Sequence, residues 1–203
     1  MKAGLEVRRP SRESRRAGPV VHSPAFTLIE LLVVIGIIAL LAALLLPAVL
    51  GAIKKANVAK ASNEVIALKV AIKAFYNDYN RYPDTATGDT SYGGPGGTAN
   101  GTVIANLIAL STLNTRGNCY IEISSDRLGG TSGGDGGGNN YFDPWDCQYG
   151  ITMDLNYDNK CTSIAGGGKG PTANMGVVVW SAGPDGQTSA TASPASGDDI
   201  TSW

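Results

Sequence analysis

Residues 25–49 read AFTLIELLVVIGIIALLAALLLPAV, and this stretch decides the fold. From Phe26 to Leu46 it is an apolar run of 21 residues broken by one acid, Glu30. About 20 such residues cross a bilayer as an α-helix. A secretory signal has an apolar core of only about 7–15 residues, with a small-residue cleavage site after it. Here the small residue, Ala25, stands before the run, so a cut at that point leaves the apolar helix on the mature chain. An acid inside a span costs roughly 2.5–3.5 kcal/mol on insertion scales, which predicts that Glu30 has a partner and a task.

Charge is divided around this run. Residues 1–25 carry six basic and two acidic residues, a net of +4, whereas residues 26–203 carry ten basic and fifteen acidic residues, a net of −5. A basic front before a span predicts a cytoplasmic N-terminus and a translocated remainder. We therefore read residues 1–25 as a removable, disordered leader and 26–46 as the transmembrane helix. The acidic remainder gives no reason to expect a nucleic-acid partner.

After Pro47, which lacks a backbone donor and is expected to weaken or kink the helix, the helical period resumes. Ala61, Val65, Leu68, Ile72, Phe75 and Tyr79 recur at spacings of four and three and make one apolar face. Lys60, Asn63, Glu64, Lys69, Lys73 and Asn77 fall mostly off it. Pro83, in Asn80-Arg81-Tyr82-Pro83-Asp84, disfavours helical geometry and predicts the end. One long helix over about Phe26–Tyr79 is expected, with residues 47–80 as its amphipathic continuation.

Residues 81–203 differ in kind. Gly-rich stretches at 88–101, 129–138 and 166–170 alternate with short apolar pieces, and GGTSGGDGGGNN at 129–140 reads as a flexible loop. Val103–Leu113 reads as a short helix, and Cys119–Ile123, Tyr149–Leu155 and Val177–Trp180 as strands. Short strands need a partner layer, and the apolar helix face supplies it. The fold expected is α+β, a long N-terminal helix packed on a small antiparallel sheet.

Candidate chemistry is sparse. The single histidine, His22, lies in the leader, so no Ser-His-Asp or Cys-His site fits the mature chain, and no HExxH or P-loop pattern occurs. Cys119, Cys147 and Cys161 fit no CxxC pattern; in an oxidising compartment one disulfide among them is expected, the pair left open. Asp185, Asp198 and Asp199 cluster in a loop rich in Gly, Ser and Thr, a composition that suits a hard cation. Asp154, Asn156 and Asp158 match the first half of an EF-hand loop, but Asn159 and Ala165 stand where Gly and Glu are needed, so this segment reads as a strand-ending turn. Asp143-Pro144-Trp145 reads as a structural turn, and Trp145 and Trp203 as packing residues.

The run Phe26-Thr27-Leu28-Ile29-Glu30 ahead of an apolar helix, with Pro47 further on, resembles the cleavage-and-assembly signal of the type IV pilin superfamily, with Ala25 in place of the usual Gly. Asn80-Arg81-Tyr82-Pro83, Asp143-Pro144-Trp145 with Tyr149, and Ser181-Ala182-Gly183-Pro184-Asp185-Gly186 followed by Asp198-Asp199-Ile200 and Trp203 are similar to segments of the major pseudopilin of type II secretion, in the same order.

The resemblance implies cleavage between Ala25 and Phe26 by a prepilin peptidase and N-methylation of Phe26. It implies pairing of Glu30 with the new amine of a neighbouring subunit. In a lone chain the carboxylate is expected to have nothing obvious to pair with. It implies Ca²⁺ held by Asp185, Asp198 and Asp199, with Ser189 and backbone oxygens near Ser181 as weaker donors. The implied partners are further copies of the chain, minor pseudopilins and an inner-membrane assembly platform. The implied location is the bacterial inner membrane with the C-terminal part periplasmic, and then the pseudopilus. Two other roles remain open: a pilin or minor pilin-like subunit for adhesion or DNA uptake, and a membrane-anchored domain that merely uses the signal.

Overall fold

The computed structural model describes residues 26–95, 97–130, 138–162, 172–187 and 198–203. The leader with Ala25, residues 131–137 of the Gly-rich loop, Ala165 and Ser189 lie outside the described residues. The chain divides into two compact units, Met1–Pro47 and Ala48–Trp203.

Helix α1 runs over Leu28–Tyr79, 52 residues, and contains Pro47, so the expected weak point does not end the helix. In the first unit every described residue is exposed. No polar face interrupts the Leu, Ile, Val and Ala surface after Glu30, and the helix is long and apolar enough to cross a membrane.

In the second unit the second half of α1 buries Ala61, Val65, Leu68, Ala71, Ile72 and Phe75. The period of the sequence is thereby realised, with Ala71 added. Tyr79 sits at the rim and stacks on Phe75 with ring centroids 4.5 Å apart. Asn80 ends the helix in the left-handed region (φ 52°) and donates its N–H to the Tyr76 carbonyl at 2.7 Å. Asn is among the few residues besides Gly that reach this conformation at low cost.

Opposite this face lies a four-stranded antiparallel sheet in the order β1 (Ser91–Tyr92), β4 (Gly150–Met153), β7 (Val177–Ser181), β8 (Ile200–Thr201). Between β1 and β4 in sequence lie α2 (Gly101–Leu107) and a two-stranded ribbon of β2 (Leu128–Gly129) and β3 (Asn140–Tyr141); β5 (Cys161–Thr162) pairs with β6 (Thr172–Ala173). Successive residues of a strand face opposite sides. Val177 and Val179 accordingly join Val65, Leu68, Ile72 and Phe75 in one core, while Val178 and Trp180 join Cys161 and Ala182 in a second. Burial of both faces accounts for the unbroken apolar run VVVW. The Trp180 ring lies over Gly150, its cross-strand partner, and against Gly94.

Two expected elements differ. Cys119–Ile123 forms no strand; Tyr120, Ile121 and Ile123 rest on the core as an irregular segment. Its apolar alternation reports burial against side chains, without a neighbouring strand for the ladder. The helix expected over Val103–Leu113 stops at Leu107, because the Leu107 carbonyl accepts the Tyr120 N–H at 2.8 Å instead of a further helical donor, and Ala109 turns to φ 62°.

Candidate functional site

The first site is the start of α1. Thr27 precedes the first helical residue, Leu28, and Glu30 is the third residue of the helix. Glu30 Oε2 accepts the Thr27 N–H at 2.8 Å and the Thr27 hydroxyl at 2.7 Å, and the Glu30 N–H donates to Thr27 Oγ1 at 3.2 Å. These are the reciprocal bonds of a capping box, in which Thr and Glu three residues apart satisfy each other's orphan backbone donors. This corrects the expectation that Glu30 has nothing to pair with in a lone chain. The T-x-x-E spacing was the available signal, and Thr27 is the residue that sequence reasoning passed over. Phe26, 75 % exposed, flanks the cap, and Phe26, Ile29, Glu30, Val33 and Val34 line a shallow apolar hollow with the carboxylate at its edge. Both donors are neutral, so the carboxylate has no cation beside it within the described residues and is open to one brought by another chain.

The second site is the corner formed by Asp143, β7 and the acidic loop. Asp143 is buried, and its Oδ1 accepts the N–H groups of Trp145 and Cys147, each at 2.9 Å, which closes the Asp-Pro-Trp turn. Its Oδ2 accepts the Ser181 hydroxyl at 2.6 Å, and Ser181 Oγ accepts the Gly183 N–H at 3.1 Å. The turn at 143–147 thus holds the 3₁₀ turn Gly183–Asp185. On the other side, pairing of Ser181 with Ile200 returns Asp198 to the same corner. A Cβ at Gly183 (φ 68°) would lie 2.2 Å from the Asp198 carbonyl oxygen, so only Gly fits there.

The expected calcium ligands meet this geometry in part. Asp198 Oδ1 is buried with no hydrogen-bond partner among the described residues, as suits a donor awaiting a cation. Asp185 Oδ1 accepts the Gln187 N–H at 2.8 Å. Among the described residues no three acidic, histidine or cysteine side chains gather as a metal-binding group. The Ser181 hydroxyl is committed to Asp143, and Ser189 lies outside the described residues.

The segment Asp154–Asp158 is a turn following β4, as expected. Asp154 is buried and accepts the N–H groups of Asp158 at 3.1 Å and Asn159 at 2.8 Å, so its carboxylate serves the backbone. Among the three thiols no disulfide forms. Cys119 is exposed and points its sulfur at the Ile121 carbonyl; Cys147 lies in the Asp-Pro-Trp turn beside Gly186; Cys161 is buried under Thr152 and Met175. Burial pushes the Cys161 thiol up to about 12, and burial followed by Asp143, Asp146 and Asp185 raises Cys147. Thiolate, the reactive form, is correspondingly scarce at both.

Sequence reasoning also missed an ion pair behind the sheet. Glu64 Oε2 meets Arg127 at 3.0 Å with both side chains more than four-fifths buried, and it accepts the Tyr149 hydroxyl. Burial, then Glu64, holds the Tyr149 and Tyr141 hydroxyls above the usual phenol range, so both stay protonated.

Comparison with known proteins gives the same direction. Over 63 residues the chain is 43% identical to type II secretion system core protein G of Aeromonas hydrophila and 41% identical to that of Escherichia coli K12, covering 31% of this chain and 44% and 43% of those proteins. Over 92 residues it is 35% identical to the fimbrial protein EcpC of Eikenella corrodens, covering 45% of this chain and 57% of that one. The match thus spans less than half the length of the secretion proteins. No family model matches, and no solved structure does. With a capped apolar stem, a helix packed on a small antiparallel sheet and these partial matches, the chain is similar to proteins of the type IV pilin superfamily, type II secretion system core protein G among them.

Proposed function

We propose that the chain is a structural subunit of a type II secretion pseudopilus. Prepilin peptidase removes the leader, the stem stays in the inner membrane with its N-terminus cytoplasmic, and copies polymerise to drive protein export. The observation that carries this reading is the first unit: an apolar helix exposed on every side, with a single capped carboxylate at its start. Such a surface needs lipid or other stems around it. In the bundle, the Phe26 amine released by cleavage approaches Glu30 of a neighbour, and pairing costs far less than leaving either charge alone in hydrocarbon. The pair fixes register among side chains that otherwise carry no polar mark. Minor pseudopilins and an assembly platform are the partners this implies. The match to a fimbrial protein over a longer stretch favours a second reading, a pilin-type subunit of a surface filament.

Mass spectrometry of the mature protein tests the processing step. The expected N-terminus is Phe26 carrying one added methyl group. A chain that keeps its arginine-bearing leader would overturn both readings.

The acidic loop is proposed to take Ca²⁺ through Asp185, Asp198 and Asp199. Support comes from the buried Asp198 oxygen and from the Gly183 approach that joins the loop's two ends. The ion would neutralise the acids and order the loop. Ca²⁺ at one hundred times its Kd stabilises by about 2.7 kcal/mol. For a unit of this size that corresponds to roughly 5–10 °C in Tm. Chelation of the full-length protein in detergent is expected to lower Tm by that amount; superimposable melting curves with and without chelator would remove the metal.

A further inference from the structure

We propose that Lys54 and Lys55 form a binding site for the phosphate of an anionic phospholipid, on the stretch of α1 that precedes the packed half. Between Glu30 and Glu64 the helix carries Lys54, Lys55 and Lys60 and no acid. Neither Lys54 nor Lys55 has an ion-pair partner among the described residues. The nearest acid after them in sequence, Glu64, is committed to Arg127 and Tyr149. Two adjacent ammonium groups therefore stand without internal compensation.

Their surroundings select the kind of anion. Residues 48–60 of α1 are exposed apart from the half-buried Asn57, and the first residue buried by the second unit is Ala61. Val49, Leu50 and Ile53 leave apolar surface open immediately before the lysines. Lys54, Lys55, Val58, Ala59 and Ser62 line a shallow hollow, with Lys54, Val58 and Ser62 one turn apart in succession. A soluble anion would satisfy the charges and leave Leu50 and Ile53 in water. A phospholipid satisfies both, its phosphate between the ammonium groups and its acyl chain along Leu50 and Gly51. The sequence position agrees: Lys54 is the first charged residue after Glu30, so the uncharged stretch between them, residues 31–53, ends where headgroups begin. At about 1.5 Å per residue that stretch is long enough to cross the roughly 30 Å hydrocarbon layer. Lysines near an anionic surface each contribute favourably within a Debye length.

Native mass spectrometry of the full chain, released from micelles holding equal amounts of phosphatidylglycerol and phosphatidylcholine, tests the site. Phosphatidylglycerol adducts are expected to outnumber phosphatidylcholine adducts about fivefold in low salt. The ratio should fall towards one in K54Q/K55Q and be kept in K54R/K55R. Equal adducts in the unaltered protein, or a preference that survives in K54Q/K55Q, would overturn the proposal. So would a K54Q/K55Q chain that keeps its lipid preference but loses cross-linking between copies, which would assign the lysines to a second copy of the chain.

Discussion

Glu30→Ala is expected to insert into the membrane at least as well as the unaltered chain and to form no filaments. Insertion improves because the substitution removes a group that costs roughly 2.5–3.5 kcal/mol within a span. Assembly fails because the amine of the incoming subunit then has no anion to meet, and a buried charge left unpaired costs about 3–5 kcal/mol. At about 1.4 kcal/mol per tenfold, that lowers the equilibrium for each added subunit by two to three orders of magnitude.

The capping box complicates the reading of this one variant, since Ala also removes the bonds to the Thr27 N–H and hydroxyl. Loss of a cap costs about 1 kcal/mol. Glu30→Gln separates the two effects. Gln serves at the third position of a capping box, so the cap survives while the charge goes. Electron microscopy or cross-linking of cells carrying each variant gives the readout. Both are expected to lack filaments. Filaments at the unaltered level in Glu30→Gln would mean that Glu30 acts as a helix cap and that its charge is dispensable.

The largest effect on stability is expected from Gly150→Ala. The added methyl carbon would lie 2.0 Å from Cε2 and 2.4 Å from Cζ2 of Trp180, a fully buried ring. The ring cannot retreat, because a Cβ at Gly94 would stand 2.1 Å from its Cη2, so the glycines hold it tightly. Gly150 has no left-handed φ, so the penalty is steric and owes nothing to backbone strain. Overpacking typically costs 1–3 kcal/mol, and a ring this confined belongs at the upper end, about 3 kcal/mol. Thermal unfolding should shift down by roughly 6–12 °C. Adding Trp180→Phe should recover part of that loss through the non-additivity of touching residues. A shift of less than 2 °C in the single variant would mean that Trp180 does not occupy the site over Gly150.

The same contacts explain what the Gly-rich stretch at 88–101 is for. By composition it is a Gly-rich stretch between apolar pieces; in the fold it contributes β1, and Gly93 and Gly94 take left-handed φ angles of 64° and 63° beside Tyr149 and Trp180. Composition says that such a segment bends easily. It does not say that a ring from 86 residues further along will lie against it.

The stem and the long helix were determined locally. Hydropathy over Phe26–Leu46, the four-and-three spacing from Ala61 to Phe75, the Thr27–Glu30 cap and the Asn80–Pro83 stop are all patterns within a few residues of one another, and the helix follows from them because its bonds join residues four apart. The sheet's central strands were legible too, since Val177–Trp180 carries β-branched apolar residues with a partner of similar kind at Gly150–Met153. Tertiary structure decided the rest. Whether Cys119–Ile123 pairs as a strand depends on an unpaired neighbouring edge, and none comes to it. Glu64 finds Arg127 across 63 residues, and Asp143 finds Ser181 across 38. These partners are chosen by the path of the backbone through the core, and an isolated acid in a sequence carries no record of the cation or hydroxyl that folding will place beside it.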